Sequence, residues 1–568
     1  MALALVVTGP LLTRGFVLAY DMVFVPHPTI SRVLLGISPT PPRSVPTGLA
    51  VAVLSRVLTG QLVQKLALFG IFALAAYGAA TLVPARHMAA RLAAGILYAW
   101  NPLLFERLLL GHWALLLGYA LLPWVVRAAL AVRRREAQAM WMLVVALAAA
   151  AVASPYAGAI GGALAAAVIF APPWERRKLI QDAAVALGAT LVVNMPWLVP
   201  GLLHPEGAGR PGLAQFLFRA RSDSPLGTLG SLLSLGGLWR SDLSPPGRTT
   251  VAWIPAFLLI VVLGLIGWRG LRSLWPAGAL WGLLGVSAVG IILAWAPSIS
   301  PLDRVVLWLS RNLPGGGILR DSQKFVIPLA LSLSIGFGMG VDRVLGLAPT
   351  RHQRLAAGLL IPLLPVALAP TLAWGAGGRL RPVSYPSSWS RAAELQAADR
   401  TRGAVLVLPW HTYLPFPWNQ GRVVLDPAGQ FFPRRAVTNT AIEVGRFRLP
   451  AEDPWTRLAN PLVLGTGALG PALPALGVRY VLLLKTADWR SFTDRLNGLD
   501  LVLDAPELSL YRGSAPANLP SFPAPSPRLV IPADIAAAGL VALAAVMVVR
   551  RRMMRSGEQG TLARPEPP

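Results

Sequence analysis

The first side chain that could do chemistry is Asp21, a carboxylate at the end of an apolar run near the start of the chain. The run covers residues 2–20, so Asp21 is expected where membrane hydrocarbon gives way to water. An ionisable group at that border is costly to hold unless it is hydrated or paired, which makes it a candidate functional residue. Asp21 could act as a general base, or it could simply end an interfacial helix.

A second group of chemically capable side chains lies within residues 100–113, where Glu106, Arg107 and His112 stand between two apolar windows. An Asn-Pro pair at its start predicts the end of a helix. Glu106 could act as a base or metal ligand, Arg107 could grip a phosphate through its planar guanidinium, and His112 could donate a hydrogen bond. The alternative is a Glu-Arg pair that caps a short re-entrant turn.

A third group lies within residues 314–325, where a glycine run leads into an apolar window. Free backbone N–H groups and the helix dipole favour anions at such a helix start, and Arg320 and Lys324 add positive charge. The alternative is a solvated helix cap formed by Asp321 or Ser322. The candidate substrate- and phosphate-binding residues are therefore Arg107, His112, Arg320, Asp321 and Lys324.

Several kinds of chemistry are excluded or restricted by composition. The chain has no cysteine, which excludes disulfides and thiolate ligands, and its 6 histidines form no paired metal-binding motif. If a divalent cation is used, its ligands would be the carboxylates Asp21 and Glu106. The formal charge of +26 is spread between apolar runs without a basic stripe, so no nucleic-acid partner is expected.

The elements that must position these residues are membrane helices. A chain of 568 residues that is 55% hydrophobic, with a mean hydropathy of +0.58, predicts a polytopic α-helical membrane protein. About twelve transmembrane helices are predicted from windows long enough to cross roughly 30 Å of hydrocarbon. The windows are residues 2–20, 64–83, 88–103, 113–131, 138–154, 156–171, 179–200, 251–268, 276–296, 325–345, 355–374 and 530–549.

Basic clusters fall at every second loop, which marks those loops as cytoplasmic and places both termini in the cytoplasm. The other loops, residues 21–63, 101–112, 201–250, 297–324 and 375–529, are then predicted on the outer face. The scarce carboxylates of this face in the membrane body are Asp21, Glu106, Glu206, Asp223, Asp242, Asp303 and Asp321. Only Asp21 and Glu106 lie directly at the ends of predicted spans.

Four segments divide the chain. Residues 1–374 are predicted to form the transmembrane body. Residues 375–529 change to short apolar runs bounded by turn residues, such as 404–408 and 478–484, which predict a C-terminal extracytoplasmic α/β domain. Residues 530–549 are predicted as the final span, and residues 550–568 as a disordered basic cytoplasmic tail.

With an Asp at the outer end of the first span, about a dozen spans and an α/β domain, the sequence resembles the GT-C superfamily of integral-membrane glycosyltransferases. The local motifs are residues 20–24 and residues 101–113, and the resemblance is to actinobacterial arabinofuranosyl- and mannosyltransferases of the cell envelope. It implies a bacterial plasma (inner) membrane protein that uses polyprenyl-phosphate sugars. It also implies that Asp21 is the catalytic base or a metal ligand, and that Glu106 is a second acid.

The function implied by the resemblance is transfer of a sugar from a polyprenyl-phosphate donor to a glycan or lipid-linked acceptor on the outer face. Many members carry two closely spaced acids after the first span, whereas here Asp21 stands alone until Glu106. One base is chemically sufficient because a phosphate leaving group needs little acid help. The alternatives are a transporter or flippase of a lipid-linked glycan and a non-catalytic envelope-assembly protein.

Overall fold

The computed structural model describes residues 1–172, 176–204, 211–516 and 518–561; the predicted outer-face acid Glu206 lies outside them. Most of the described chain is helical. The helices are α1 (Ala2–Thr8), α2 (Thr47–Val57), α3 (Gly60–Leu82), α4 (Met88–Ala99), α5 (Pro102–Leu109), α6 (Trp113–Arg133), α7 (Ala139–Ala153), α8 (Pro155–Phe170), α9 (Arg176–Leu203), α10 (Pro211–Phe218), α11 (Gly227–Leu233), α12 (Ile254–Leu274), α13 (Ala279–Trp295), α14 (Leu302–Asn312), α15 (Ile327–Leu347), α16 (Arg351–Leu360), α17 (Ala373–Gly377, with left-handed central residues), α18 (Ser387–Ala398), α19 (Ala428–Phe431), α20 (Pro454–Leu464) and α21 (Pro527–Thr561).

Eight helices or helical runs of the described residues are long and apolar enough to cross a membrane. They coincide with eight of the windows predicted from sequence, and the protein is therefore a multi-pass membrane protein. They are Gly60–Leu82, Trp113–Arg133, Gln181–Leu203, Ile254–Leu274, Ala279–Ser298, Ser322–Leu347, Arg351–Gly377 and Pro527–Arg550. The other four predicted windows correspond to shorter helices, namely α1, α4, α7 and α8.

The first predicted span, residues 2–20, is wrong as a continuous helix. Helix α1 ends at Thr8, a 3-10 turn continues to Leu12, and strand β1 (Phe16–Val17) pairs antiparallel with β2 (Pro382–Val383). The break follows from a Gly-Pro pair at the end of α1, because proline lacks the N–H that would continue the helix.

Polar side chains of α3 replace the helical hydrogen bonds that this break removes. The buried Gln64 amide accepts from the Val17 N–H at 2.9 Å and donates to the Val17 carbonyl at 2.7 Å. Gln61 accepts from the Gly15 N–H at 3.0 Å. The extended chain that leads to Asp21 is thereby held inside the helical bundle with its backbone satisfied.

Residues 382–512 form an α/β unit around a five-stranded mixed sheet. Its strand order is β10-β11-β9-β3-β6, with β3 parallel to both β9 and β6 and the remaining pairs antiparallel. The strands are β3 (Ala404–Leu408), β4 (Tyr413–Pro415), β5 (Val423–Leu425), β6 (Ala436–Val437), β7 (Ile442–Val444), β8 (Phe447–Leu449), β9 (Val478–Leu484), β10 (Asp500–Asp504) and β11 (Leu508–Arg512). All five residues of β3 are buried, as expected for a central strand.

The α/β unit is joined to the helical bundle by backbone pairing. Tyr20 donates its N–H to the Val423 carbonyl and accepts from the Leu425 N–H, both at 2.8 Å, so it adds a bridge to the β4–β5 hairpin. The Tyr385 hydroxyl also donates to the Phe24 carbonyl at 3.0 Å. These bonds fix the position of the α/β unit over the segment that contains Asp21.

The last helix, α21, continues to Thr561 and so includes residues 550–561 of the predicted basic tail. The remainder of the predicted tail, residues 562–568, lies outside the described residues.

Candidate active site

Asp21 lies in a tight turn between β1 and the loop that leads to α2. Its N–H donates to the Leu110 carbonyl at 3.2 Å, which brings the turn against the end of α5. Gly111 makes this approach possible because its φ of +79° is left-handed and a Cβ there would lie 2.8 Å from the Asp21 nitrogen. The short loop after α5 therefore folds back onto Asp21.

The Asp21 carboxylate is held by one donor on each oxygen. His112 Nε2 lies 2.9 Å from Oδ2, and the Tyr413 hydroxyl donates to Oδ1 at 2.6 Å. The Asp21 side chain remains 37% exposed. An ionised carboxylate that is fixed by two hydrogen-bond donors and still open to solvent on one side can accept a proton from a bound molecule.

The tautomer of His112 follows from its second contact. Nδ1 lies 3.1 Å from the Nη1 of Arg107, and a guanidinium only donates, so Nδ1 must accept. Nε2 then carries the hydrogen and donates to Asp21. Burial lowers the pKa of His112, and the charges of Lys324 and Arg107 lower it further against the opposing effect of Asp21. His112 is therefore a neutral imidazole that orients the carboxylate.

The same contacts keep Asp21 ionised. Burial raises its pKa, but the hydrogen bonds from His112 and Tyr413 and the charge of Lys324 act against burial, and the pKa lies below its usual value. Burial and the neighbouring Asp21 charge raise the pKa of Tyr413 well above its usual value. Tyr413 thus stays protonated and continues to donate.

Arg107 is buried and fully engaged by protein groups. Its Nη1 and Nη2 donate to the two oxygens of Asp321 at 2.6 and 2.8 Å, and its Nε donates to Gln323 at 2.9 Å. Its side chain is 0% exposed, so it does not reach a bound phosphate directly. Arg107 instead connects the loop after α5 to residues 321–323 and holds His112 in place.

Asp321 is likewise an internal counter-ion. Burial raises its pKa, but the charges of Arg107 and Lys324 hold the pKa well below its usual value. Lys324 Nζ lies 3.1 Å from the Asp321 carboxylate and 4.1 Å from the centre of the Tyr156 ring. Of the predicted phosphate-binding residues in this stretch, Lys324 and Arg320 keep partly exposed charged groups, at 14% and 33%.

Glu106 occupies a different, closed environment. It is 0% exposed, and its Oε2 accepts from the Gln323 amide at 2.6 Å. Its Oε1 and the Oδ1 of Asp223 are buried without any other partner, and the two carboxyl groups are within hydrogen-bonding reach of one another. Burial and the Asp223 charge raise the pKa of Glu106 well above its usual value. A protonated Glu106 that donates to Asp223 satisfies both orphaned oxygens.

Asp21 and Glu106 do not form a carboxylate pair. Asp21 contacts His112 and Tyr413, whereas Glu106 contacts Gln323 and Asp223, and Arg107 lies between the two groups. Within the described ranges, no group of three or more His, Asp or Glu side chains could hold a metal ion. Asp21 and Glu106, the ligands named for a divalent cation should one be used, thus lie in separate environments.

Three residues that lie against Asp21 or its neighbour Tyr20 were missed at the level of sequence. Tyr413 comes from β4, and Arg43 and Arg240 come from loops whose arginines resemble ordinary surface charge. Arg43 pairs with Glu452 at 2.7 Å, and Arg320 approaches the same carboxylate at 3.8 Å. The Arg240 guanidinium lies 4.5 Å from the Tyr20 ring centre and donates to its hydroxyl. Asp223, one of the outer-face carboxylates counted in the sequence, lies against Glu106.

Comparison with known proteins identifies a fold neighbour. Two cryo-EM structures of the arabinofuranosyltransferase AftD from Mycobacteria, the second of them a mutant, have TM-scores of 0.61 and 0.59 and sequence identities of 16% and 17%. The matches cover 91% and 90% of this chain. The chain spans about two fifths of those structures, with 39% and 41% of their lengths covered.

No protein-family model matches the sequence, and no curated protein matches it either. The relationship is therefore carried by three-dimensional structure. Because the alignment extends over nearly the whole chain, it includes the helical bundle and the α/β unit together. The chain shares its fold with this arabinofuranosyltransferase, which agrees at the level of the fold with the predicted resemblance to arabinofuranosyltransferases.

Proposed function

We propose that the protein is a glycosyltransferase that moves a sugar from a polyprenyl-phosphate donor to a glycan or lipid-linked acceptor. Asp21 takes the proton of the acceptor hydroxyl while that oxygen bonds to the anomeric carbon. The bond between the anomeric carbon and the phosphate oxygen breaks, and the electron pair leaves with the polyprenyl phosphate. One base is sufficient for this reaction, which is a single displacement and therefore inverts the configuration of the anomeric carbon.

The observation that carries this proposal is the environment of the Asp21 carboxylate. It is ionised, oriented by His112 and Tyr413, and still 37% exposed. A catalytic base must be ionised, held in a fixed orientation and accessible to the substrate. The Asp21 carboxylate has all three properties. Glu106, the other predicted catalytic acid, is closed to substrate by its burial.

The leaving phosphate would be stabilised by the cations around Asp21. The charge of Lys324 lowers the pKa of Asp21, and the Arg43 guanidinium is close enough to interact electrostatically with both Asp21 and Tyr413. Arg320 also lowers the pKa of Tyr413. Positive charge fixed in advance at the point where negative charge develops is an effective form of transition-state stabilisation. We assign donor-phosphate binding to Lys324, Arg320 and Arg43, and a positioning role to Arg107, His112 and Asp321.

The class of sugar and the side of the membrane complete the proposal. The fold neighbour is named as an arabinofuranosyltransferase, which favours an arabinofuranosyl unit as the transferred sugar. The alternation of basic loops favours the outer face of the inner membrane for the site and the α/β unit. A lipid donor suits a site at the end of the bundle, because its phosphate would lie at headgroup height.

The decisive experiment compares the protein with Asp21→Asn in proteoliposomes supplied with a polyprenyl-phosphate arabinose donor and an arabinan acceptor. Asparagine preserves shape but is not a base, so we expect transfer to fall by at least ~100-fold, the lower range for loss of a general base. Asp500→Asn, at an exposed carboxylate of β10, is the matched control and should transfer normally. Full activity of a well-folded Asp21→Asn protein would refute Asp21 as the base.

A further inference from the structure

Helix α14 is amphipathic and lies between two membrane-length helices, α13 and α15. Its exposed apolar side chains are Leu302 (41% exposed), Val305 (53%) and Trp308 (60%), followed by Leu313 just beyond its end (48%). The first three are spaced by three residues and therefore lie along one side of the helix. An isolated, largely exposed tryptophan is ordinary, but three apolar side chains on one helix face, with a fourth just beyond the helix end, mark an interaction surface.

The opposite side of α14 is committed to the protein. Val306 is 4% exposed, and α14 packs against α10 and against the 3-10 turn Gly316–Arg320. A Cβ at Gly316 would lie 2.7 Å from the carbonyl oxygens of both Leu309 and Ser310. Glycine is therefore required where the chain turns back onto the end of α14, and the helix cannot shift independently of this turn.

The edge of the exposed apolar side carries two arginines. Arg304 and Arg311 are exposed and stand seven residues apart, so they lie on one line along the helix, beside Trp308. Long arginine side chains place their charge at headgroup level while their stems cover apolar surface. Tryptophan and arginine next to an apolar row are the side chains that membrane-interface helices use.

We propose that α14 is an in-plane membrane helix whose exposed row, Leu302, Val305, Trp308 and Leu313, is buried in the phospholipid headgroup layer. We assign lipid as the contact of this row because α14 begins seven residues after the end of the spanning helix α13 and so must lie near the membrane surface. The last turns of α13 expose Val289 (55%) and Ile292 (58%), side chains that must face lipid in a spanning helix. The apolar surface of the span thus continues onto α14.

This arrangement has a consequence for the site. The turn that packs on α14 runs directly into Arg320 and Lys324, and α14 therefore fixes these cations relative to the bilayer surface. A lipid-linked phosphate at headgroup height would meet them without leaving the membrane. The location of α14 stands independently of the proposed enzymatic activity.

The absence of native cysteine allows a direct test, because a single introduced cysteine is the only thiol in the full-length chain. Nitroxide labels at Leu302→Cys, Val305→Cys, Trp308→Cys and Arg311→Cys would be measured by electron paramagnetic resonance. The protein would be reconstituted in phosphatidylglycerol–phosphatidylethanolamine vesicles. Collision with oxygen, which concentrates in the bilayer, is compared with collision with a water-soluble nickel chelate. Val289→Cys on α13 is the lipid-facing control, and Arg391→Cys, whose side chain is 68% exposed on α18, is the aqueous control.

We expect a several-fold higher oxygen-to-nickel collision ratio at positions 302, 305 and 308 than at 391. Position 311 should lie between the two controls. A ratio at 305 and 308 equal to that at 391 would overturn the proposal by placing the row in water. Labels reached by neither reagent would also overturn it, because protein rather than lipid would then cover the helix. Three independent positions on one face keep the test valid if a single variant does not fold.

Discussion

Two carboxylates predicted as partners, Asp21 and Glu106, have opposite protonation states because of what each touches. Asp21 receives hydrogen bonds from His112 and Tyr413 and feels nearby cations, so it stays charged. Glu106 is enclosed, and the Asp223 carboxylate raises its pKa so that it holds a proton. Carboxylates whose environments separate their pKa values take different roles, here the proposed base and a structural hydrogen-bond donor.

This difference predicts an unusual mutational result at Glu106. In Glu106→Gln the new amide oxygen can accept from Gln323 while its N–H₂ donates to Asp223, so both native contacts survive. We expect transfer activity within about 2-fold of the parent, because replacing one satisfied donor by another costs little. Glu106→Ala leaves Gln323 and Asp223 without their partner and should lower the free energy of unfolding by about 1–3 kcal/mol.

Activity assays and thermal unfolding in detergent measure the two effects separately. The pair Glu106→Gln and Glu106→Ala also decides the role of the residue. A Glu106→Gln protein with the parent Tm but without transfer activity would show that Glu106 acts as an acid or metal ligand, which is the role predicted from sequence.

At the level of elements, the sequence predicts long helices well and short ones poorly. The eight membrane-length helices were recognisable because each carries a long, uninterrupted apolar window. The region of residues 2–20 has an equally apolar composition, yet it divides into α1, a turn and β1. The Gly-Pro pair ends α1, and Gln64 of α3 offers β1 an alternative hydrogen-bonding partner. The Gly-Pro pair is a local signal, whereas the long-range amide contact has none.

The same limit applies to the residues of the candidate site. Asp21, His112 and Lys324 could be predicted because each stands at the end of an apolar window, where a charged or polar side chain is conspicuous. Tyr413 and Arg43 could not, since tyrosine in a strand and arginine in a loop are unremarkable until the fold brings them to Asp21. The burial of Arg107 was equally hidden, because its counter-ion Asp321 is 214 residues away.

The turn after α5 gives a prediction about the packing of elements. In Gly111→Ala the added Cβ would collide with the Ala19 carbonyl oxygen and the Met22 nitrogen, and the left-handed φ of +79° would be strained. The loop that carries His112 should then move away from Asp21. We expect transfer to fall at least ~100-fold, because a displacement of about 1 Å in a catalytic group has that effect.

Gly429→Ala is the control for this change, since a Cβ there meets no atom within 4 Å and its backbone is helical. Transfer rates and membrane yields of both variants would be measured together. If Gly111→Ala protein were as active as the control, contact between the two loops would not be required for the reaction.

At the level of the whole molecule, the candidate site is assembled from parts that are far apart in the chain. Asp21 follows the N-terminal segment, His112 precedes α6, Lys324 precedes α15, and Tyr413 belongs to the α/β unit. Pairing of Tyr20 with Val423 and Leu425 fixes the last of these contributions. The α/β unit is therefore part of the site rather than an accessory attached to the membrane body.

This assembly predicts that Tyr413, although remote in sequence, tunes the base. Tyr413→Phe removes a hydrogen bond to a charged group, which is worth about 1.5–3 kcal/mol. Because that hydrogen bond favours the ionised carboxylate, its loss should raise the pKa of Asp21. The ionised base is lost as pH falls through this pKa, so the acidic limb of the rate profile should move to higher pH by the same amount.

The measurement is the rate of transfer as a function of pH in proteoliposomes, between about pH 3.5 and 8, a range that spans the ordinary pKa of aspartate. In the parent protein the lowered pKa of Asp21 places the acidic limb below the ordinary pKa of aspartate. Tyr480→Phe is the control, because its hydroxyl donates to Asp399 at 2.8 Å within the α/β unit and makes no contact with Asp21. A Tyr413→Phe profile that coincides with the parent profile would mean that the α/β unit does not act on the base, whereas a shifted acidic limb with an unshifted Tyr480→Phe profile would show that it does.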